Sequence, residues 1–469
     1  MNGKKQIIPT RGLVVAGLGG GSGKSVVAVG LVAALRAAGR HVVPFKKGPD
    51  YIDAGWLSLG ASADCYNLDP FLMEEEAMRN SFQEHAAGAE IVIIEGNRGL
   101  FDGVNAEGSF STAELARFLK LPVLLVVDCT KTTRTVAALV LGCKHLDPDL
   151  CIAGVVLNRL GSTRHEHIVR EAVEKYTGIP VLGAIRRMKK DIFPMRHLGV
   201  TPFQEYDDTD SALETLVQTA RESLDMDRIE EIMMHSQVLE GFVKVPGVSG
   251  VQGGRVRIGV IRDAAFQFYY PDNLQSLEKA GAELVEINAM TAGELPEIDA
   301  LYIGGGFPEN SAGVLAANVS FRHSVKEQAE KGLPMYAECG GLIYLGESIL
   351  LEGTEHSLVG IFPVKFTLEK RPQAHGYTVL TAKEGNPFYR TGTQIKGHEF
   401  RYSKITGWQG NSEDLKFVMD RGVGFAEKGD GLVYKNVLAL YTHIHAVATP
   451  EWAEGLIRKA REYQRLIRN

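Results

Sequence analysis

A chain of 469 residues is long enough for two or three domains with separate cores, and 45% hydrophobic with 23% charged residues is the balance of a globular protein. No apolar run reaches the roughly 20 residues that a helix needs to cross a bilayer, and a net charge of −6 argues against nucleic acid as a general partner, because phosphate binding wants a basic field. The five cysteines are irregularly spaced, which suits neither a disulfide framework nor a zinc site, and no signal-peptide core follows Met1, so a reducing, cytoplasmic setting without a membrane partner is expected.

Short β-branched runs at 12–16, 41–45, 91–95, 123–128 and 152–157 alternate with helical patterns and predict a mainly parallel, doubly wound α/β sheet. The first run leads into Gly17-Leu18-Gly19-Gly20-Gly21-Ser22-Gly23-Lys24-Ser25 and then an alanine-rich helix. Such a loop turns backbone N–H groups toward phosphate oxygens at a helix N-terminus. Gly17, Gly19, Gly20, Gly21, Ser22, Gly23, Lys24 and Ser25 are therefore the expected nucleotide contacts, with Lys24 on the β and γ phosphates and the Ser25 hydroxyl on magnesium. The spacing departs from the strict P-loop, whose first glycine would stand where this chain has Leu18.

The next two strands run into Lys46-Lys47-Gly48-Pro49-Asp50-Tyr51-Ile52-Asp53 and Glu95-Gly96-Asn97-Arg98-Gly99-Leu100-Phe101-Asp102-Gly103. Open parallel sheets bind ligands at the carboxyl ends of their strands, so both segments should face the phosphate loop. Asp50 and Glu95 are expected to hold magnesium, and Lys46, Lys47 and Arg98 to meet phosphate or a substrate carboxylate. Tyr51 and Ile52, between Asp50 and Asp53, should border the substrate, with Asp53 and Asp102 on the same side. Asn158, after the fifth run, is read as a contact to the base. His165 and His167 stand two apart on a helical pattern and make a poor metal pair.

Charged helical patterns occupy 207–235, and Val245-Pro246-Gly247-Val248-Ser249-Gly250 opens the best linker candidate, which ends at Gly254. The expected organisation is 1–200, a helical segment and linker at 201–254, and a second α/β unit at 255–469, whose first strands fall at 257–261, 284–287 and 300–303. That unit contains Glu338-Cys339-Gly340-Gly341 between the apolar runs 333–337 and 342–345. The pattern reads as a cysteine nucleophile on a tight strand-to-helix turn, where glycines permit the bend and the next helix aims its positive end at the sulfur. Thr442-His443-Ile444-His445, after the apolar run 437–441, offers two histidines from which a base can come.

Taken together, these segments resemble the cobyrinate a,c-diamide synthases, glutamine-dependent amidotransferases of corrinoid biosynthesis. The likeness rests on the modified loop from Gly17 to Ser25, the Lys46 to Asp53 and Glu95 to Gly103 segments, Gly304-Gly305-Gly306-Phe307-Pro308-Glu309, Ala337 to Gly341, Gly397-His398-Glu399-Phe400 and Thr442 to His445. It implies an ATP-dependent amide synthetase domain at 1–200, similar in fold to dethiobiotin synthetase, and a class I glutamine amidotransferase domain at 255–469. In the second, Cys339 would attack the glutamine amide with His443 as its base, and backbone amides near Gly304 to Gly306 and after Cys339 would stabilise the oxyanion; the role of His445 stays open. Ammonia would travel internally to an acyl phosphate made with ATP and Mg2+, at two acetates in succession. The implied partner is an anionic tetrapyrrole: cobyrinate, or alternatively metal-free hydrogenobyrinate or nickel sirohydrochlorin. A homodimer is one option for assembly. A partitioning or maturation ATPase is the reading from another class, and the cysteine turn speaks against it. Two departures stand out. Many class I glutaminases carry a glutamate two residues after the catalytic histidine, where this chain has His445, and Asn97-Arg98 replaces an expected Val-Met.

Overall fold

The computed structural model describes residues 11–188, 195–196, 199–206, 208–236 and 254–468. The chain divides into two compact units, Met1–Val245 and Pro246–Asn469. The linker expected at 245–254 lies, apart from Gly254, outside the described residues.

In the first unit, β1 (Gly12–Gly17), β2 (Val42–Lys47), β3 (Tyr66–Leu68), β4 (Ile91–Glu95), β5 (Val123–Asp128), β6 (Ile152–Leu160) and β7 (Val181–Arg186) form one parallel sheet in the order β3-β2-β4-β1-β5-β6-β7. Every residue of β1, β2 and β4 is buried. Covered on both faces, such strands show continuous apolar runs instead of alternation. The strands β3 and β7 lie at the sheet's two edges, and neither was expected from the sequence; β3 has only three residues. Helix α1 (Lys24–Ala37) follows the phosphate loop and α2 (Ile52–Ala61) follows the Lys46 segment. The charged helices Thr209–Ser223 and Met226–Met234 are not a free connector. They bury Leu216, Ala220, Ile229 and Met233 in the same core as Val29 and Leu31, and keep their charges on the opposite face.

The second unit is built on six strands in the spatial order Ala282–Ile287, Val256–Ile261, Ala300–Ile303, Met335–Glu338, Val437–Leu440 and Leu432–Tyr434. All neighbours are parallel except the last pair. Strands from the 348–444 region form two further sheets, one mixed and one antiparallel, and the antiparallel one pairs His398 with His443. The ends of Met335–Glu338 and Val437–Leu440, which are direct neighbours, therefore carry the cysteine turn and the histidine segment side by side.

Candidate active sites

Parallel register decides the first site. Lys46 is the partner of Glu95 across β2 and β4, and Glu95 is the partner of Val15 on β1, just ahead of the phosphate loop. The loop closes into α1 through Gly23, whose φ of 93° lies in the left-handed region. A Cβ at Gly23 would stand 2.0 Å from the Asn158 side-chain nitrogen, so only glycine fits both the backbone and the space. Asn158 Nδ2 donates to the Ser22 carbonyl at 2.9 Å, and its Oδ1 accepts from the Arg159 backbone N–H at 2.8 Å. Asn158, expected from the sequence as a contact to the base, therefore braces the loop through its amide nitrogen. A cavity of about 570 Å³ opens there, lined by Gly23, Val26, Thr130, Lys131 and Asn158 itself among others.

Lys24 curls over the loop, its Nζ 3.4 Å from the Gly19 carbonyl, and burial, with the neighbouring Lys46 charge, lowers its pKa. Ser25 Oγ donates to Glu95 Oε1 at 2.8 Å and lies 3.4 Å from Asp53 Oδ1. Lys46 Nζ donates to Asp53 Oδ2 at 2.7 Å and lies 3.3 Å from Glu95 Oε1. Burial opposes its charge, but Asp53 and Glu95 outweigh that and raise its pKa. Burial first, and then the Asp53 charge, push the Glu95 carboxyl up to about 7. Burial acts on Asp53 in the same direction, yet Lys46 and Lys24 hold its pKa below the ordinary value.

Asp50 and Asp53 are held differently. Asp50 Oδ1 accepts from the backbone N–H groups of Ile52 and Asp53, each at 2.9 Å, and so caps the start of α2. Asp53, on the first turn of that helix, is the carboxylate beside Ser25. The donors fit a magnesium ion, which prefers oxygen ligands and takes few of them from protein. Ser25, Asp53 and Glu95 offer oxygens around one point, and Glu95 Oε2 is buried without a hydrogen-bond partner. Among the described residues no group of three or more His, Cys, Asp or Glu forms a self-sufficient metal cluster.

The other candidate contacts are more dispersed. Lys47 is buried near Asp69 and Arg98, and burial lowers its pKa. Arg98 and Asp102 are exposed on the 95–103 loop, where Asp102 accepts from the Gly99 N–H at 2.8 Å. Tyr51 is half-buried, and Ile52 rests partly on the core of the unit. Asn67, which the sequence reading missed, donates to the carbonyls of Gly48 and Asp50 at 2.8 and 3.0 Å and fixes the turn between β2 and α2.

In the second unit the chain turns at Cys339 with φ 47° and ψ −96°, a conformation costing a non-glycine residue about 1–3 kcal/mol. The Cys339 N–H donates to the Leu440 carbonyl at 2.8 Å, and the helix that follows, Gly340–Leu345, has six residues. The thiol hydrogen-bonds to His443. Two buried side chains clamp the histidine segment. Asp430 accepts from the N–H groups of Tyr441 and Thr442 at 3.1 and 3.2 Å, and Asn273 donates to the Ile444 carbonyl at 3.1 Å while accepting from Ala446 at 2.7 Å. A Cβ at Gly305 would stand 2.3 Å from His443 Cε1, so a glycine lets the ring approach. The Gly306 nitrogen lies 3.0 Å from where a Cβ on Gly340 would be, which sets a backbone N–H against the cysteine turn.

Burial disfavours the charged His443 ring, but the Cys339 sulfur and then Glu338 outweigh it and push the imidazole up to about 10. Glu338 Oε2 is 3.3 Å from His443 Nδ1. His445 points to different partners, 3.5 Å from Asp272 Oδ2 and packed on the Tyr270 ring. Glu399 accepts from the N–H groups of Val423 and Gly424 and anchors their loop.

Comparison with known proteins covers both units. A CobQ/CobB/MinD/ParA nucleotide binding domain matches residues 13–199, and a CobB/CobQ-like glutamine amidotransferase domain matches 257–450. A cobyrinate a,c-diamide synthase of Magnetococcus marinus is 42% identical over 94% of this chain and 95% of its own length. The chain belongs to the cobyrinate a,c-diamide synthase family. Members of that name from Archaeoglobus fulgidus and Syntrophotalea carbinolica are each 40% identical, over 96% and 95% of this chain and 97% of their own lengths. As a member of the cobyrinate a,c-diamide synthase family it is a glutamine-dependent amidating ligase with a nucleotide-binding domain. The amidotransferase match contains Cys339 and His443, and the nucleotide-binding match contains the Gly17 to Ser25 loop, Lys46, Asp53 and Glu95. Among the described residues no helix is long and apolar enough to cross a membrane.

Proposed function

We propose that the chain converts cobyrinate to cobyrinate a,c-diamide in cobalamin biosynthesis, using ATP and glutamine for each acetate. The observation that carries this reading is the presence, in one chain aligned end to end with synthases of that name, of both a charged cluster under a phosphate loop and a cysteine–histidine pair on a strained turn. A free carboxylate is a poor electrophile with no acceptable leaving group, so it must be activated before ammonia can attack.

In the first unit the Gly17 to Ser25 loop and Lys24 receive the ATP phosphates, and the cavity beside Gly23 has room for base and ribose. Ser25, Asp53 and Glu95 would hold magnesium there, and that ion supplies charge neutralisation on the phosphates. The acetate oxygen attacks the γ-phosphorus, ADP leaves, and an acyl phosphate results. Lys46, buried and charged between Asp53 and Glu95, fixes the carboxylates relative to the loop. Lys47, Arg98, Asp102, Tyr51 and Ile52 border the macrocycle side. Ammonia then attacks the acyl carbon and phosphate departs.

In the second unit Cys339 attacks the γ-amide of glutamine, and the Gly306 and Gly340 N–H groups receive the developing oxyanion. Supplying the purified protein with ATP, magnesium, glutamine and, separately, cobyrinate, hydrogenobyrinate or nickel sirohydrochlorin tests the substrate assignment. Mass spectrometry should show a two-amide product with cobyrinate at the highest kcat/KM. Faster diamide formation on either other macrocycle would replace cobyrinate in this account.

A further inference from the structure

Glu338 and Cys339 are consecutive, yet both reach one imidazole ring. Successive side chains of a regular strand point to opposite faces. The turn at Cys339, with its φ of 47°, breaks that alternation and brings the thiol to the ring whose Nδ1 lies 3.3 Å from Glu338 Oε2. Glu338 is completely buried, and its Oε1 has no hydrogen-bond partner. Its polar contacts are His443 Nδ1 and the backbone N–H of Ile444, both on the histidine segment. A buried carboxylate is costly to maintain, and this one spends its contacts on the position and charge of a single side chain.

We infer that Glu338 is the positioning residue of the glutaminase: it holds His443 with Nδ1 protonated, leaves Nε2 for Cys339, and stabilises the imidazolium beside the thiolate. The inference rests on the glutaminase reading of Cys339. In the first half-reaction the sulfur–carbon bond forms, the imidazolium gives its proton to the amide nitrogen, the carbon–nitrogen bond breaks and ammonia leaves. In the second, neutral His443 takes a proton from water as the oxygen–carbon bond forms. The sulfur–carbon bond then breaks, glutamate departs, and thiolate and imidazolium are restored. His443 is charged at the start of each cycle and neutral in its middle, so an anion on its far nitrogen bears on both steps.

Three side chains facing His443 bear on its charge. Cys339 and Glu338 contact it, and His398, from the adjacent strand, stacks on it with ring centroids 4.9 Å apart. The hydroxyls near Glu338, those of Tyr269, Tyr302, Tyr336 and Tyr389, are kept protonated by burial. Glu338 is a carboxylate in contact with the ring, and although burial raises its pKa, the His443 charge works against that.

The test uses the full chain and measures glutamine hydrolysis against pH, with synthesis from added ammonia as a check on the rest of the protein. Glu338→Gln preserves size and removes the charge. It should lower kcat about 10²–10⁴-fold with KM little changed, move the alkaline limb of kcat to lower pH, and leave ammonia-dependent synthesis intact. Glu338→Asp should recover part of the rate. An unshifted alkaline limb, or a loss expressed mainly in KM, overturns the inference. Cys339→Ala serves as the control: if it still hydrolyses glutamine, the glutaminase reading itself fails, whereas an inactive Cys339→Ala beside a wild-type Glu338→Gln removes only the role of Glu338. Should the Gln variant not fold, nitrogen-15 shifts of His443 in the unaltered protein decide. Protonated Nδ1 is expected, and a neutral ring carrying its proton on Nε2 overturns the assignment.

Discussion

Around Lys46 in the first unit, Lys24, Asp50, Asp53 and Glu95 crowd into one buried region, and burial raises two of the carboxyls, Asp50 to about 6 and Glu95 to about 7. Around His443 in the second unit, nucleophile, base and carboxylate already contact one another. The difference follows from what each site must do. A site that receives a polyphosphate and a cation leaves charge to be completed by the ligand, and Glu95 Oε2 without a partner is the visible sign. A site whose nucleophile, base and carboxylate all come from the chain can be finished before glutamine arrives. Burial works against charge at both sites, raising Glu95 in one and Glu338 in the other, but at His443 the neighbouring sulfur and carboxylate outweigh it and keep the ring charged.

That contrast breaks most severely at Asp53 and Glu95. Asp53→Asn and Glu95→Gln should each lower synthesis by about 10²–10³-fold or more with either nitrogen donor, as expected when a preorganised electrostatic contact is lost. Glutamine hydrolysis should continue, and wild-type synthesis in both variants would show these acids to be bystanders. In the second unit, His443→Ala should cost glutamine-dependent synthesis about 10²–10⁴-fold while synthesis from ammonia survives. His445→Ala should do less, because its ring is engaged with Asp272 and Tyr270. If His445→Ala proves the more damaging in glutamine hydrolysis, the base has been misplaced.

Smaller effects sharpen the comparison. Asp50→Ala removes a helix cap, so about 0.5–2 kcal/mol of stability should be lost in denaturant titrations, with a milder effect on synthesis than Asp53→Asn. An equal loss of synthesis at the two positions would return Asp50 to the metal site. Magnesium–ATP binding should also expel protons near pH 7. Glu95, held at about 7, is half protonated there, and a bound cation favours its carboxylate. Calorimetry in buffers of different ionisation heat should read about half a proton released per nucleotide at pH 7, fading as pH rises well above 7. No release at pH 7 would mean that Glu95 is already ionised.

The two sites differ equally in how far they can be read from sequence. The phosphate loop and the cysteine turn are contiguous, and their glycines announce the backbone they require. The doubly wound sheet was legible for a similar reason, since buried parallel strands appear as unbroken apolar runs; the edge strand β3 is too short to leave one, and β7 left a run, Val181 to Ile185, that the sequence reading passed over. Contacts across the chain were less visible. Asn158 braces Ser22 over a separation of 136 residues, and no local pattern distinguishes that from a base contact. The different settings of Asp50 and Asp53 turn on where α2 begins: an aspartate just ahead of a helix is claimed by its free N–H groups, and one turn later the next aspartate faces the loop. Glu338 stood in plain view beside Cys339, but strand alternation sends adjacent residues to opposite faces, and only the positive φ of the nucleophile undoes that.

The division of labour between the units is tested most directly by measuring diamide formation from Cys339→Ala with glutamine and, separately, with ammonium as nitrogen donor, at saturating ATP and cobyrinate. Synthesis from glutamine should disappear while synthesis from ammonium stays near that of the unaltered protein. Loss of both activities to the same extent would contradict the account, because it would place Cys339 in acyl activation as well as in the release of ammonia.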